Sequence, residues 1–489
     1  MKAKIAILTD LHYSQSKNAF ISERKGEFAD VLLLRAVHRL NLYIKPDLVF
    51  IGGDLLDQPA GEDRLELLAE LKEMIDLIQA PTIVISGNHD PDKDVFQSIM
   101  GKQVDFLDIN GIRFVPFCDM EEPGYKALRI DDELARMRKL GAEFDGPLVS
   151  LQHVPLFPPK AESCAYNYTN ADEIVEIMRE TNYVLALSGH YHEGFELLDY
   201  EGVNCIVGRA LCEQPFGYEL IEIDDDGKLS CKHENLAVPK ELGLVDHHVH
   251  TKFAYCSAYT DKMTLTRLID IGKIFNLDGI ILSEHSAHLY FNRENYGQRL
   301  QFIEGIKSNK KDDHVAEYIA LHANEADDFC RLGIEIDYDQ YGQMVIEPGD
   351  WDKIKFRNGS IHILKNILEQ QDMTKIEDEF LFQTNAVASS GVDVLVHPFR
   401  VFKRAGLTLP EHLFAPTVDI LKRYGVAAEI NYHTNEPPPE FFRMCIEKGI
   451  KLSFGSDAHK LYEVGEFYPH LKLLQKIAPN RDPRDLLIR

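Results

Sequence analysis

KIAILTD (residues 4–10), FADVLLLRAVHRLNLY (28–43), DLVFIGGD (47–54), RLELLAELKEMIDLI (64–78) and TIVISGNHD (82–90) follow one another in the first part of the chain. Short strand-like runs alternate with helical patterns, and that order reads as an α/β fold. In the second helical run Leu65, Leu68, Leu71, Ile75 and Ile78 recur at helical spacing, which marks a core-facing stripe. Three of the strands end in polar residues: Asp10-x-His12, Gly53-Asp54 and Gly87-Asn88-His89-Asp90. In α/β sheets ligands bind at the carboxyl ends of the strands.

Further along, YELIEIDDDGKLSCKHENL (218–236) reads as a hairpin, and the polar VPKELG (238–243) precedes a fresh strand, LVDHHVHT (244–251). A boundary is therefore expected near 236–243, giving domains at 1–238 and 243–489. Beyond it the rhythm restarts with DGIILSEH, EYIALHANEAD, VDVLVHPF, GVAAEINYH and IKLSFGSDAH, each an apolar run ending in His, Asp or Glu. The halves share no motif order, so two different catalytic units joined in one chain are expected.

The 489 residues carry 53 Lys and Arg against 79 Asp and Glu, a net charge of −26, and 45% are hydrophobic. That content supplies a core for each domain and excludes disorder for most of the chain. The negative field repels phosphate backbones, so nucleic acid is a disfavoured partner unless bound cations or a second protein offset the charge. The chain has no apolar run of about 20 residues and no signal-peptide layout, so a soluble cytoplasmic protein without a membrane partner is expected. Cys118, Cys164, Cys205, Cys212, Cys231, Cys256, Cys330 and Cys445 are scattered without a C-x-x-C pair, which fits a reducing compartment.

The first half continues its polar strand ends with Gln152-His153 and Gly189-His190-Tyr191-His192. Oxygen and imidazole donors in this number suit two transition-metal ions with a shared carboxylate, the arrangement that activates water and clamps phosphoryl oxygens. A lone His38 or His233 is better read as a packed or surface residue. Gly52, Gly53 and Gly87 stand where the backbone must turn tightly beside such a cluster.

This half resembles the calcineurin-like metallophosphoesterases, whose D-x-H, G-D, G-N-H-D, H and G-H-x-H motifs it matches in order over about residues 1–235. The resemblance implies a four-layer αββα sandwich. It places Asp10, His12 and His192 on one ion, Asn88, His153 and His190 on the other, and Asp54 on both. His89 is then the catalytic imidazole facing the phosphate, with Asp90 beside it to fix its tautomer or, alternatively, to cap a helix. Manganese, iron or zinc suits such a site. The proline-rich segment 154–173 reads as either a surface loop or a substrate loop, with Tyr166, Asn167 and Tyr168 available to a base or leaving group.

The second half carries Asp246-x-His248-x-His250, Glu284-His285, Gly333-Ile334-Glu335, Ser360-Ile361-His362, His397-Pro398, Glu429-Ile430-Asn431 and Asp457-Ala458-His459. Alternation along a strand puts His248 and His250 on one face, and Asp457 and His459 likewise. GIEIDY, GSIHIL, DVLVHPF, EIN and SDAH resemble the polymerase and histidinol phosphatase (PHP) family, most nearly its histidinol-phosphatase branch, over nearly all of 243–489. That resemblance implies a distorted (β/α)7 barrel holding up to three zinc, iron or manganese ions. Its ligands would be His248, His250, His285, Glu335, His362, His397, Asp457 and His459. Glu325 in HANEAD competes with Glu335 for the bridging role, and spacing to GSIHIL favours Glu335. Glu284 departs from the aspartate usual before this histidine. Cys256 stands where another histidine is common, and a core cysteine is its default reading. Arg400, with Lys403 and Arg404, either grips a phosphate in a catalytic role or forms a solvated basic patch.

Together these readings predict a bifunctional metal-dependent phosphohydrolase. The first domain is expected to cleave a phosphodiester or nucleotide and the second a phosphomonoester, with small phosphate esters as partners. The alternative is a nuclease or DNA-repair or defence component working with an ATPase partner, a role found within both resembled families. The acidic charge and the lack of a basic-aromatic stripe weigh against it. A third reading, a scaffold that has lost its chemistry, is disfavoured by the near-complete ligand sets.

Overall fold

The computed structural model describes residues 2–18, 20–58, 63–157, 166–200, 202–258 and 260–488. It divides into two compact units, Met1–Leu236 and Ala237–Arg489.

In the first unit a five-stranded sheet runs Leu229–Asn235, Gly217–Ile223, Ala3–Leu8, Leu48–Ile51, Thr82–Val84, with its last three strands parallel. A six-stranded sheet faces it, in the order Phe195–Tyr200, Val203–Val207, Tyr183–Ser188, Leu148–Leu151, Ile112–Pro116, Leu107–Ile109. Ile5, Ile7, Leu48 and Phe50 of the first sheet meet Phe114, Val149, Leu151, Leu185 and Leu187 of the second in one core. Ala6, Val49 and Ile51, of opposite parity, are also buried. Cover on both faces is why these strands read as continuous apolar runs. Met137, Ile174 and Ile177 of helices Asp131–Ala142 and Ala171–Glu180 close the far face of the six-stranded sheet. Helices Ala29–Arg39 and Arg64–Ile75 pack together beside the five-stranded sheet, completing the αββα layers. The expected stripe on Arg64–Ile75 is narrower than its spacing suggested: Leu68, Leu71 and Ile75 are buried, but Leu65 is exposed and Ile78 only half-buried.

In the second unit seven parallel strands follow chain order: Val245–Val249, Gly279–Leu282, Cys330–Ile336, Phe356–Gly359, Val394–Leu395, Ala427–Ile430 and Leu452–Phe454. The ends of the first and last strands are stitched by Asp457 N donating to His248 O (2.8 Å) and His250 N to Ala458 O (3.1 Å). The barrel is thereby nearly closed, and its closing seam joins two of the histidine motifs. EYIALHANEAD, read as an apolar run with a ligand at its end, is instead part of helix Val315–Glu325. Val315 and Tyr318 bury one side of it, a helical spacing that outweighs the short apolar run.

No helix among the described residues is long and apolar enough to cross a membrane.

Candidate metal centres

Each candidate ligand of the first unit follows the end of a central strand, and the backbone there is strained. Asp10, His12, Asp54 and His190 all have positive φ, from 44° to 67°. Non-glycine residues enter this region at a cost of about 1–3 kcal/mol and hold it only where the surroundings demand it. The surroundings here are tight. A side chain at Gly87 would run into Asp54 and His153, and one at Gly189 into Thr9 and Asp10.

Two groups result, Asp10 with His12 and His192, and Asp54 with His153 and His190, each with ligand atoms within 4.8 Å of one another. Asp54, 2% exposed, lies between them: Oδ1 is 3.3 Å from His153 Nε2 and Oδ2 is 3.7 Å from His12 Nε2. Asn88 Oδ1 lies 3.1 Å from His153 Nε2.

Hydrogen bonding behind the rings determines what they present in front. His153 Nδ1 donates to Gly52 O (2.7 Å) and His190 Nε2 to Tyr125 O (3.1 Å). Carbonyl oxygens only accept, so the remaining nitrogens, His153 Nε2 and His190 Nδ1, present lone pairs, and these face each other at 3.2 Å. His192 repeats the pattern, with Nδ1 on Glu213 Oε1 (2.7 Å) and Nε2 3.1 Å from His12 Nε2. Acceptors converging on acceptors and carboxylates form a cation cradle, so the donor set fits divalent metal ions.

Protons are the competing cations. Burial opposes charge on His153, but Asp54 outweighs it and pushes the ring up to about 9. His192, opposed by burial and supported by Asp10 and Glu213, rises to about 10. Both rings are then protonated in the ion-free protein at neutral pH, and an entering metal ion must displace those protons. Calorimetric titration with Mn2+ in buffers of different ionisation enthalpy is expected to show proton release. Affinity should climb with pH until about 9–10. Binding that neither releases protons nor varies with pH would contradict this donor arrangement.

His89 and Asp90 behave differently from each other. His89 Nδ1 lies 2.6 Å from the Asp57 carbonyl oxygen, which fixes its tautomer. Asp90, expected to do so, is turned away and accepts from Leu55 N (2.9 Å), Leu56 N (3.2 Å) and Gly87 N (2.8 Å). It ties together the two loops that carry Asp54 and Asn88. Burial, and then the charge of Asp54, raise its carboxyl to about 7.

In the second unit the candidate ligands gather around Glu335, which is fully buried. Its carboxylate lies 2.6 Å from His285 Nδ1, 2.8 Å from His397 Nε2, 3.1 Å from His362 Nε2, 3.5 Å from His248 Nε2 and 3.8 Å from His250 Nε2. Glu325 is exposed at its helix end. Asp457 Oδ1 is 3.0 Å from His250 Nε2 and 3.7 Å from His248 Nε2. Carboxylates stand behind the rings: Glu429 on His248 Nδ1 (2.7 Å), Asp337 on His362 Nδ1 (2.7 Å) and Glu284 near His250 Nδ1 (3.3 Å). His248 Nε2 is buried without a hydrogen-bond partner, as an inward-facing ligand atom would be. His397 and Asp457 again have positive φ, 35° and 54°.

Two expectations change here. Cys256 is exposed rather than a core residue, with Sγ 3.0 Å from His459 Nε2 and 3.8 Å from His285 Nε2. Arg400 is buried and already engaged, donating to Asp457 Oδ2 (2.6 Å) and facing His362 Nε2 (3.1 Å), while Lys403 and Arg404 are exposed. Its guanidinium is committed to candidate ligands rather than presented to a phosphate.

Residues 3–194 match the family model described as calcineurin-like phosphoesterase. The first unit is a calcineurin-like phosphoesterase domain. A probable histidinol-phosphatase of Deinococcus radiodurans is 23% identical over 246 residues, covering 46% of this chain and 89% of that protein. It supports a PHP-like second unit. A probable cyclic nucleotide phosphodiesterase of Rhodococcus erythropolis is 26% identical over 180 residues, covering 34% of this chain and 58% of that protein. Among solved structures, a dimetal phosphatase from Danio rerio is 14% identical with a TM-score of 0.40, covering 48% of this chain and 96% of that one.

The protein is therefore a metal-dependent phosphoesterase. In the calcineurin-like domain, Asp57 and Glu213 escaped sequence reasoning because both come from loops and belong to no motif. Asp337 had a legible signal, an acid two residues after Glu335 on the same strand face. Of the proposed substrate-loop residues, Tyr168 donates to Asp119 (2.5 Å) and Asn167 hydrogen-bonds Phe157, so both face the protein. Tyr166 instead joins Tyr125 and Tyr191 around His190, with ring centroids 5.2–6.3 Å apart. Residues 158–165 of that loop lie outside the described residues.

Proposed function

We propose that the two units are two hydrolases for different phosphate esters. The calcineurin-like domain cleaves a phosphodiester or nucleotide at a two-ion centre formed by Asp10, His12, Asp54, Asn88, His153, His190 and His192. The second unit removes phosphate from a monoester at a centre of up to three ions, formed by His248, His250, His285, Glu335, His362, His397, Asp457 and His459. The first reaction's product then suits the second site. One observation carries this reading: each unit has its own set of acids and back-oriented imidazoles converging on a buried focus. The relatives named for a phosphodiesterase and a phosphatase support the division of labour.

Divalent ions held there would supply Lewis-acid charge for phosphoryl transfer and for activating water. The chain's own groups do the rest. His89, its Nδ1–H donated to the Asp57 carbonyl, turns Nε2 to the phosphate, and from that atom it protonates the leaving oxygen only when the ring is the imidazolium. A cavity of about 330 Å3 is lined by Asn88, His153, His190 and Tyr125, enough for a mononucleotide-sized group. The rings of Tyr125, Tyr166 and Tyr191 favour a planar substituent. In the second unit, Cys256 would be a further donor to an ion held by His285 and His459, and Arg400 steadies Asp457 and His362.

The test is a substrate panel with manganese-loaded full-length protein: an aryl diester, a cyclic nucleotide, a nucleoside monophosphate and single-stranded DNA. Hydrolysis of the diester or cyclic nucleotide together with the monoester is expected. Degradation of DNA far faster than any small ester would replace this reading with a nuclease.

A further inference from the structure

Arg24 lies outside every metal-binding motif, yet it is buried, only 8% exposed, behind the first centre. Its Nη1 donates to Asp57 Oδ1 at 2.7 Å, and its Nε lies 3.7 Å from Glu213 Oε1. Each of those acids serves candidate ligands. Glu213 Oε1 holds His192 Nδ1 at 2.7 Å, and Asp57 Oδ1 lies 3.7 Å from His12 Nδ1. The Asp57 carbonyl also receives His89 Nδ1 at 2.6 Å. One guanidinium thus stands behind three imidazoles from three separate loops.

His12, Asp57 and His89 themselves lie close enough to suggest a metal triad. The Asp57 carboxylate is already taken, however, by Arg24 and by Asn18 Nδ2 at 2.9 Å. Asp57 is therefore better suited to hold His89 through its carbonyl and to place charge beside His12 than to bind an ion. The other half of the centre is built differently, since His153 and His190 are oriented by the neutral carbonyls of Gly52 and Tyr125. Two carboxylates side by side behind His12 and His192 would repel each other, and Arg24 offsets that repulsion while fixing their separation.

We propose that Arg24 is a positioning residue that sets the affinity of the ion held by Asp10, His12 and His192, leaving the ion at Asn88, His153 and His190 unaffected. This rests on the reading of those residues as ligands. The guanidinium hydrogen-bonds Asp57 through Nη1 and sets its charge 3.7 Å from Glu213 without a hydrogen bond, a spread that the single point charge of a lysine ammonium does not reproduce.

The test is Mn2+ binding to the full chain by equilibrium dialysis, comparing wild type, Asp10→Asn, Arg24→Gln, Arg24→Lys and Glu213→Gln, with thermal melting in chelator as the folding control. Asp10→Asn should remove one binding step, which checks the ligand reading by itself. Both Arg24 variants should weaken that same step about tenfold and leave the others in place, as loss of an outer-shell partner does. Glu213→Gln, which removes the charge beside His192 and Arg24 but leaves the Arg24–Asp57 hydrogen bond, should weaken it less. If Asp10→Asn removes the step but the Arg24 variants bind as wild type, the proposal is wrong. Full rescue by Arg24→Lys, or uniform weakening of every step, would overturn it equally. If Asp10→Asn changes nothing, the ligand reading has failed instead. Should the Arg24 variants fail to fold, Glu213→Gln decides: wild-type binding rejects the proposal.

Discussion

Alanine at Asp54 should cost diester hydrolysis at least about a thousandfold in kcat/KM, or about 4 kcal/mol of transition-state stabilisation. Asp54 faces imidazoles of both halves of the first centre, 3.3 Å from His153 and 3.7 Å from His12, and its Oδ1 also accepts the His89 amide at 2.8 Å. Removing it leaves two imidazole groups without the charge they share and loosens the loop carrying His89. Asparagine at the same position separates these effects, since it keeps the shape and an acceptor while losing the charge. It should recover folding but little activity. Monoester hydrolysis by the second centre should stay within about twofold of wild type, because its residues belong to the other compact unit and share no partner with Asp54. Diester activity that survives Asp54→Ala would mean that the reaction takes place elsewhere.

Both centres depend on a common structural device. Parallel strands deliver their last residues to one end of a sheet or barrel, and the chain then leaves through left-handed backbone at Asp10, His12, Asp54 and His190 in one unit and at His397 and Asp457 in the other. A strand that continued straight would send successive side chains to opposite faces. The left-handed turn redirects them toward a single focus. Six of the fifteen non-glycine residues with positive φ among the described residues are candidate ligands, and there the left-handed turn is what brings the side chains together.

That geometry also explains what was legible in the sequence. Asp10, Asp54, His153 and His190 follow apolar strands directly, so pattern alone marks them as strand-end residues. Spacing favours Glu335 over Glu325, and the two acids differ physically: one closes a buried strand, the other sits at the exposed end of a half-buried helix. EYIALHANEAD misled because a short apolar run does not distinguish strand from helix. Arg24, Asp57 and Glu213 were illegible for a deeper reason. Each is a lone polar residue in a loop with no periodicity, and it acquires meaning only when folding brings it behind a ring from a distant segment. The sequence offers Asp90 either its neighbour His89 or a helix cap, but a side chain on a tight turn reaches the backbone amides of that turn and the adjacent loop more easily than the neighbouring ring.

Glutamine at Glu335 should be the most damaging conservative change in the second unit. Five imidazoles, from His248, His250, His285, His362 and His397, approach this one carboxylate within 3.8 Å. Most of their other nitrogens are committed: His248 to Glu429, His362 to Asp337, and His250 near Glu284. The amide keeps the volume but replaces one acceptor oxygen with an NH2 donor and removes the negative charge that all five rings share. Ions at this centre would lose their common carboxylate, and the uncompensated rings would repel one another whenever protonated. Bound metal per chain, measured by elemental analysis after gel filtration, should fall, and monoester hydrolysis should drop by about a thousandfold or more. Diester hydrolysis at the first centre should remain. Aspartate instead of glutamine restores the charge on a shorter arm, so it should recover metal binding ahead of activity. A Glu335→Gln protein with full metal content and full monoester turnover would show that the focus of these five rings is structural, and the catalytic centre of the second unit would have to be sought elsewhere.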